Sequence, residues 1–348
     1  MRLDTVAQLF AGAAMVLGAC MVAFPAPARA DAGRVTIIED NDGLLPDGWD
    51  RHYTQGAMLS YLSPTLDSGD FAARLYALAP QQLPILQTAP DIQRKYDIVV
   101  GQSFFTPVKY HDVIPDPKDR PFAGFLYAGG SLLQETGGRM LENLEVFVGV
   151  VGPDALARQT QELFHSAAGF NNANLDRSWS HQLSNEPGIM VTYDRHWKVW
   201  QQSIMGIEMD VIPDAGATVG NVMTYAEAGG QFRIGQNLGA DYGIARIRPA
   251  LSGTDWFNVA RMTSPLGWYL FAGVQGRAVA HNIYLDGNTF ENSPSVNKKI
   301  LVGDFSAGAS LFWSDWVKLD VSFTERTKEF TTQKQDDHFG NANLSFRF

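Results

Sequence analysis

Val317-Lys318-Leu319-Asp320-Val321-Ser322-Phe323-Thr324 alternates apolar and polar residues without a break. The chain then closes on a second such run, in which Ala342, Leu344, Phe346 and Phe348 alternate with Asn341, Asn343, Ser345 and Arg347. Successive side chains of a β-strand point to opposite faces, so each run reads as a strand with one apolar and one polar face. The pattern recurs upstream. Leu144, Val146, Val148 and Val150 oppose Glu145, Phe147 and Gly149, and Leu301, Phe305, Ala307, Ala309 and Leu311 oppose Val302, Asp304, Ser306, Gly308 and Ser310. Alternation alone suits a soluble sandwich as well as a membrane barrel. Three features select the barrel: the chain carries an export signal, the polar faces are rich in Gly, Ser and charge as a wet lumen requires, and the last strand ends on an aromatic residue.

The export signal is Met1 to Ala30. Arg2 supplies a short positive region, Val6 to Phe24 is apolar and small, and Ala28-Arg29-Ala30 offers an A-x-A cleavage site before Asp31. A lipoprotein signal at Leu17-Gly18-Ala19-Cys20 is the rival reading, and the apolar stretch that continues to Pro25 favours ordinary cleavage. The expected organisation is a signal peptide over 1–30 and one barrel domain over 31–348. No later stretch holds the ~18 consecutive apolar residues of a spanning helix.

Composition narrows the function. The 348 residues carry a net charge of −10, which argues against a nucleic-acid binder. Cys20 is the only cysteine and falls in the signal, so the mature body has no Cys-ligated zinc, internal disulfide or Cys nucleophile.

The spacing predicts an all-β, transmembrane antiparallel barrel of about twelve strands. These fall near 34–42, 52–63, 94–105, 122–134, 143–151, 187–196, 198–212, 218–234, 267–280, 299–313, 315–328 and 340–348. With the first strand running outward, the extracellular loops lie near 42–52, 105–121, 152–186, 213–218, 281–298 and 328–340. The long connections 64–93 and 235–266 fall on the periplasmic side, and 241–249 is left outside the strand count.

The 152–186 loop carries a predicted helix. Pro153 opens it, Asp154 to Ala168 continues it without Gly or Pro, and Gly169 ends it. Gln161 and His165 are four apart and share a face, whereas Leu156, Leu163 and Ala167 lie on another, available to pack on the barrel rim. Asn41-Asp42 ends the first strand and Thr54 begins the second, on the parity of Gly56, Met58 and Ser60, which is the inner face. Asp119-Arg120 begins the fourth strand at the same outer end.

These groups support one chemistry. A histidine beside a carboxylate is a general-base pair, and His165 with Asp42 would activate water. Gln161 and Thr54 would position water or substrate. Asn41, Asp42 and other outer-loop oxygens could hold a hard cation such as Ca²⁺, which polarises an ester carbonyl. The remaining histidines, His52, His111, His181, His196, His281 and His338, read as structural. No G-x-S-x-G, H-E-x-x-H or Walker A motif is present. Arg51, Lys118, Arg120, Arg158, Arg177 and Lys328 are the cations near the outer rim that could meet an anionic lipid. A non-enzymatic pore or surface-contact barrel and an outer-membrane phospholipase are the alternative functions.

The chain resembles the lipid A 3′-O-deacylase family of outer-membrane proteins (LpxR-like). The resemblance rests on Glu39-Asp40-Asn41-Asp42, Asp50-Arg51-His52-Tyr53-Thr54-Gln55-Gly56 and Leu59-Ser60-Tyr61-Leu62-Ser63-Pro64. It continues through Asp119-Arg120-Pro121-Phe122-Ala123-Gly124, Gly149-Val150-Val151-Gly152-Pro153, and Gln161 with His165. Asn185-Glu186-Pro187, Leu285-Asp286-Gly287-Asn288 and Arg326-Thr327-Lys328-Glu329-Phe330 complete it. It implies a twelve-stranded outer-membrane barrel with a site between the wall and a loop helix. The implied reaction is Ca²⁺-dependent hydrolysis of the 3′-linked acyloxyacyl chain of lipid A in lipopolysaccharide. It also places the family's functional positions at Asn41, Asp42, Thr54, Gln161 and His165. The family's glutamate after the histidine is not carried over: the ungapped position holds Asn171, and the nearest acid is Asp176.

Overall fold

The computed structural model describes residues 32–44, 50–67, 69–77, 86, 89, 91–170, 172–249 and 255–348. The signal segment read over 1–30 lies outside the described residues. The strands are β1 (Arg34–Asn41), β2 (His52–Leu62), β3 (Ile92–Thr106), β4 (Ala123–Thr136), β5 (Met140–Val151) and β6 (Glu186–Trp197). After them come β7 (Trp200–Ile204), β8 (Ile207–Gly220), β9 (Met223–Gln236), β10 (Leu266–Asn282), β11 (Leu301–Trp313), β12 (Val317–Arg326) and β13 (Asp337–Arg347). Among the described residues, the helices longer than one turn are α1 (Phe71–Ala77) and α2 (Ala157–Ala168).

Each strand pairs antiparallel with its neighbours, β13 returns to β1, and β6 pairs with β8 to close the ring. The wall therefore has twelve strands, with β7 a short extra strand carried on β8. No described helix is long and apolar enough to cross a membrane. Closure leaves no free strand edge in the wall, the condition for crossing hydrocarbon with strands. The alternation does its expected work outside, where Ile98, Val100, Val148 and Val274 form part of an exposed apolar belt.

The seventh and eighth strands differ from the sequence reading. The segment 198–212 is a hairpin, with Met205 (φ 52°) and Gly206 (φ 81°) making its two-residue turn. One long strand, β8, then runs through the region 213–218 that looked like an outer loop, and the outer turn lies at Asn221-Val222. Pro213 misled because proline in a strand lacks a ladder donor. Here it falls in a gap: on one side of β8 the β7 ladder ends at Val211 and the β6 ladder begins at Asp214.

The lumen also departs from expectation. Its polar side chains do not line an open aqueous space, because part of the β9–β10 connection folds up inside. Arg248 meets Glu145 at 3.0 Å, Glu227 at 3.3 Å, and Asp194. Lys318 holds Asp241 at 2.7 Å, and Arg233 bonds Asp210 and Asp241. Asn343 Nδ2 donates to the Ala245 carbonyl at 2.6 Å. Residues 241–249 are thus a plug and not a wall strand. Toward the end bearing the β1–β2 connection, read as extracellular, the lumen is filled by Tyr53, Phe105, Phe125, Tyr127, Tyr225, Tyr284 and Phe339.

Candidate functional site

The site lies on the outside of the wall, beneath α2. Phe104 and Phe105 are neighbours on β3 and point to opposite faces. Phe105 joins the lumen cluster, while Phe104 packs with Phe122, Ala157, Leu175 and Trp179. Gly124, paired with Phe104 on the next strand, lets the helix come close: a Cβ there would lie 2.5 Å from Ala157 Cβ. Gln102 Nε2 donates to the Ala155 carbonyl at 2.5 Å and anchors the turn ahead of the helix.

The helix begins later than its sequence suggests. Pro153–Ala155 forms a 3₁₀ turn, and Leu156 (φ 59°) breaks it from α2. Gly169 (φ 77°) ends α2 as expected, its N–H donating to the His165 carbonyl. The packed face is not the one anticipated. Leu156 and Leu163 are exposed, and Ala157, Gln161 and His165, each four residues apart, are buried. Beside the glycine-lined wall, a small residue and two polar groups with partners fit better than leucines.

His165 Nε2 bonds Asp50 Oδ2. Gln161 Nε2 donates to the same oxygen at 2.8 Å, and Trp179 Nε1 donates to Gln161 Oε1 at 2.7 Å. Trp179 is fully buried, so it fixes Gln161, which in turn fixes Asp50. The other imidazole nitrogen, His165 Nδ1, is buried with no hydrogen-bond partner among the described residues. The rings of Tyr110 and Phe170 stand edge-on to His165, with centroids at 5.8 and 5.6 Å.

Asp50 therefore takes the part expected of Asp42. Asp42 Oδ2 instead accepts the Arg51 N–H at 2.9 Å, and Oδ1 is buried and unpartnered. Burial, and then the Asp50 carboxylate beside it, push the Asp42 carboxyl well above the usual range. Burial and the same two acids raise the Tyr110 phenol to about 12. Asn41 is spent on local structure: its Oδ1 accepts the Gly43 N–H at 2.7 Å, and its Nδ2 donates to Glu39 at 3.4 Å. Gln161 is bonded to Asp50 and Trp179.

Thr54 is also corrected. The β2–β3 register slips between Tyr53 and Gln55, and this bulge turns Thr54 off the parity of Gly56. Its hydroxyl bonds that of Thr106 at 2.8 Å, on the helix-bearing face of β3 with Phe104 and not in the lumen.

Sequence reasoning missed Asp50, Trp179 and the company of His52. His52 Nδ1 bonds Asp337 at 2.7 Å, and its Nε2 lies 3.3 Å from Asp119. Burial opposes charge on Asp119, but hydrogen bonds from His52 and from the Val108 and Arg120 amides hold its carboxyl below the usual range. Arg120 is fully buried and paired with Glu329 at 3.1 Å, so it is not a solvated rim cation. His196 and His281 likewise have acids, Asp194 and Asp286. Asn171 lies outside the described residues, and Asp176 is exposed with no polar partner among them. The only sequence signal for Asp50 was its place in the Asp50-Arg51-His52 stretch, two residues ahead of β2.

Among the described residues, no three His, Cys, Asp or Glu side chains form a metal-holding group. A hard cation nevertheless fits Asp42 with Asp50. An orphaned buried carboxylate oxygen beside a second carboxylate is an arrangement that such an ion relieves.

The sequence matches the family model described as Outer membrane protein LpxR over residues 13–348. Among solved structures, LpxR from Salmonella typhimurium superposes with a TM-score of 0.69 at 22% identity, covering 90% of this chain and 100% of that one. The β domain of the Bordetella autotransporter BrkA reaches a TM-score of only 0.39 at 10% identity, covering 92% and 99%. No curated protein sequence matches. With a family model spanning nearly the whole sequence and a twelve-stranded wall to match, the chain belongs to the LpxR family of outer-membrane proteins.

Proposed function

We propose that this barrel is a lipid A 3′-O-deacylase, a carboxylic ester hydrolase of the outer membrane, with His165 as general base. One observation carries the reading: His165 Nδ1 is buried and without a partner while Asp50 holds Nε2. In neutral imidazole one nitrogen donates and the other accepts. Asp50 fixes the proton on Nε2 and leaves Nδ1 as the basic atom. A water bonded to Nδ1 loses its proton as its oxygen adds to the ester carbonyl. The resulting imidazolium is stabilised by Asp50. The same proton then passes to the departing sugar oxygen, giving an alcohol and a free acid. A divalent cation such as Ca²⁺, held by Asp42 and Asp50, would supply stabilisation of the oxyanion. The exposed belt of Ile98 and Val100 on β3, the strand that also carries Phe104 and Thr106, offers acyl chains a path along the wall.

The test is to express the mature barrel in a lipid A-making host and weigh the lipid A. Loss of one acyloxyacyl unit, absent with His165→Ala, is the expected result. Unchanged lipid A, or release of lysophospholipid instead, refutes it.

A further inference from the structure

Beside the dyad, the β3–β4 and β12–β13 connections enclose a second cleft of about 480 Å³. Arg51, His52, Lys109, Lys118 and Lys334 bring basic groups to it, against Asp116 and Asp119. The chain as a whole is acidic at −10, so this concentration of cations is a local exception. Among the described residues, the ammonium groups of Lys109, Lys118 and Lys334 have no ion-pair partner.

The floor is built and not merely surface. His52 is 3% exposed. Asp337 holds its Nδ1 at 2.7 Å, and an Asp119 carboxylate oxygen lies 3.3 Å from its Nε2. Arg51 is held in place by Gln335 at 2.9 Å and by the Asp336 carbonyl at 3.3 Å. Three consecutive residues thus serve two adjoining places: Asp50 faces His165, while Arg51 and His52 face the cleft.

We infer that this cleft binds an anionic oxygen group, the phosphate monoester of the saccharide headgroup whose ester lies at His165. Three ammonium groups and a fixed guanidinium are the partners that phosphate oxygens take. In lipid A the 3′ ester and the 4′ phosphate sit on adjacent carbons, so one sugar bridging two adjoining places is the geometry required. The headgroup assignment rests on the deacylase reading; the anion chemistry does not.

The experiment uses the purified mature barrel in detergent and reads binding apart from turnover. His165→Ala protein is titrated with lipid A and with lipid A stripped of its 4′ phosphate. Lys118→Glu with Lys334→Glu, both exposed and outside the fold's core, is added on the same background. The expected result is at least tenfold weaker binding of intact lipid A by the charge-reversed protein, with little change for the stripped lipid. On the active protein, the same pair of changes raises KM at least tenfold for intact lipid A and leaves kcat within about twofold. Equal affinity for the two lipids, or for the two proteins, overturns the inference. Inorganic phosphate that binds lipid-free protein as tightly as lipid A does, and is lost in the charge-reversed protein, keeps the anion site but overturns the headgroup as its source. Phosphate-dependent binding without hydrolysis by the parent protein sinks the deacylase reading alone.

Discussion

Asp50 is the residue on which the proposed chemistry turns, and Asp50→Asn is the most direct perturbation. The substitution keeps the shape and removes the charge. Asp50 Oδ2 accepts from both His165 and Gln161, and an amide in its place can no longer stabilise an imidazolium. General-base assistance contributes typically about 10²–10⁴ in rate, or ~3–5 kcal/mol at 1.36 kcal/mol per decade. Asp50→Asn should lose activity in that range, as should His165→Ala. The two act as one unit, so the double variant should lose no more than the worse single one, within about threefold. The side chain of Asp50 is 19% exposed, so water partly replaces what is lost and the barrel should still fold. The assay is the initial rate of fatty-acyl release from lipid A micelles by mass spectrometry, with heat-modifiable mobility as the folding control. Losses that multiply in the double variant would show that Asp50 and His165 act independently. A parental rate for Asp50→Asn would remove Asp50 from the mechanism altogether.

Gly124→Val should detach α2. A Cβ there comes within 2.5 Å of Ala157, and such overpacking costs about 1–3 kcal/mol. Activity should fall at least tenfold while the heat-modifiable barrel persists, and an unchanged rate would mean the helix does not need its close seat. Asp42 titrates above the ordinary 3.8, so a cation bound there must displace its proton. The apparent Ca²⁺ affinity should therefore rise with pH, by up to about tenfold per unit, and level off once Asp42 is ionised. Calorimetry in buffers of different ionisation heat reads this directly, and pH-independent affinity with no proton release contradicts it. Arg248→Ala leaves Glu145, Asp194 and Glu227 without their shared cation. Breaking a buried pair by removing one partner costs about 3–5 kcal/mol, which should appear as a clear drop in the heat-modification temperature. An unshifted temperature would mean the plug contributes nothing to stability.

What could be read from the sequence was whatever repeats every two residues. β1, β2, β10 and β12 fall close to their expected bounds because apolar-out, polar-in alternation is a local property and a slip by one residue would reverse every side chain. β8 was misplaced because Pro213-Asp214-Ala215-Gly216 has turn composition, and only the neighbouring ladders show that the missing proline donor is tolerated. Thr54 was put on the wrong face for a related reason: parity counting assumes an unbroken register, and one bulge between Tyr53 and Gln55 defeats it. Choosing Asp42 as the partner of His165 failed differently. Residues 42 and 50 flank the same loop, and no spacing rule says which carboxylate turns toward a helix more than a hundred positions away. The helix's inner face was missed because Ala157, Gln161 and His165 are less apolar than its leucines, and hydrophobicity points outward when a face is reserved for chemistry.

The plug and the external site explain each other. Among the described residues the lumen holds a cluster of aromatic side chains together with the salt links of Arg248 and Asp241. On the proposed function, the lipid substrate would come through the bilayer and meet the outer wall. There β3 carries both the lipid-facing Ile98 and Val100 and, further along, the Phe104–Thr106 stretch against which α2 and the site are built. A rigid interior then has a role in the proposed chemistry outside it. The two carboxylates and the imidazole are contributed by the β1–β2 loop and a helix packed against the wall and against Leu175 and Trp179. Loosening the interior through Arg248 should therefore blunt catalysis even though Arg248 contacts none of the site residues.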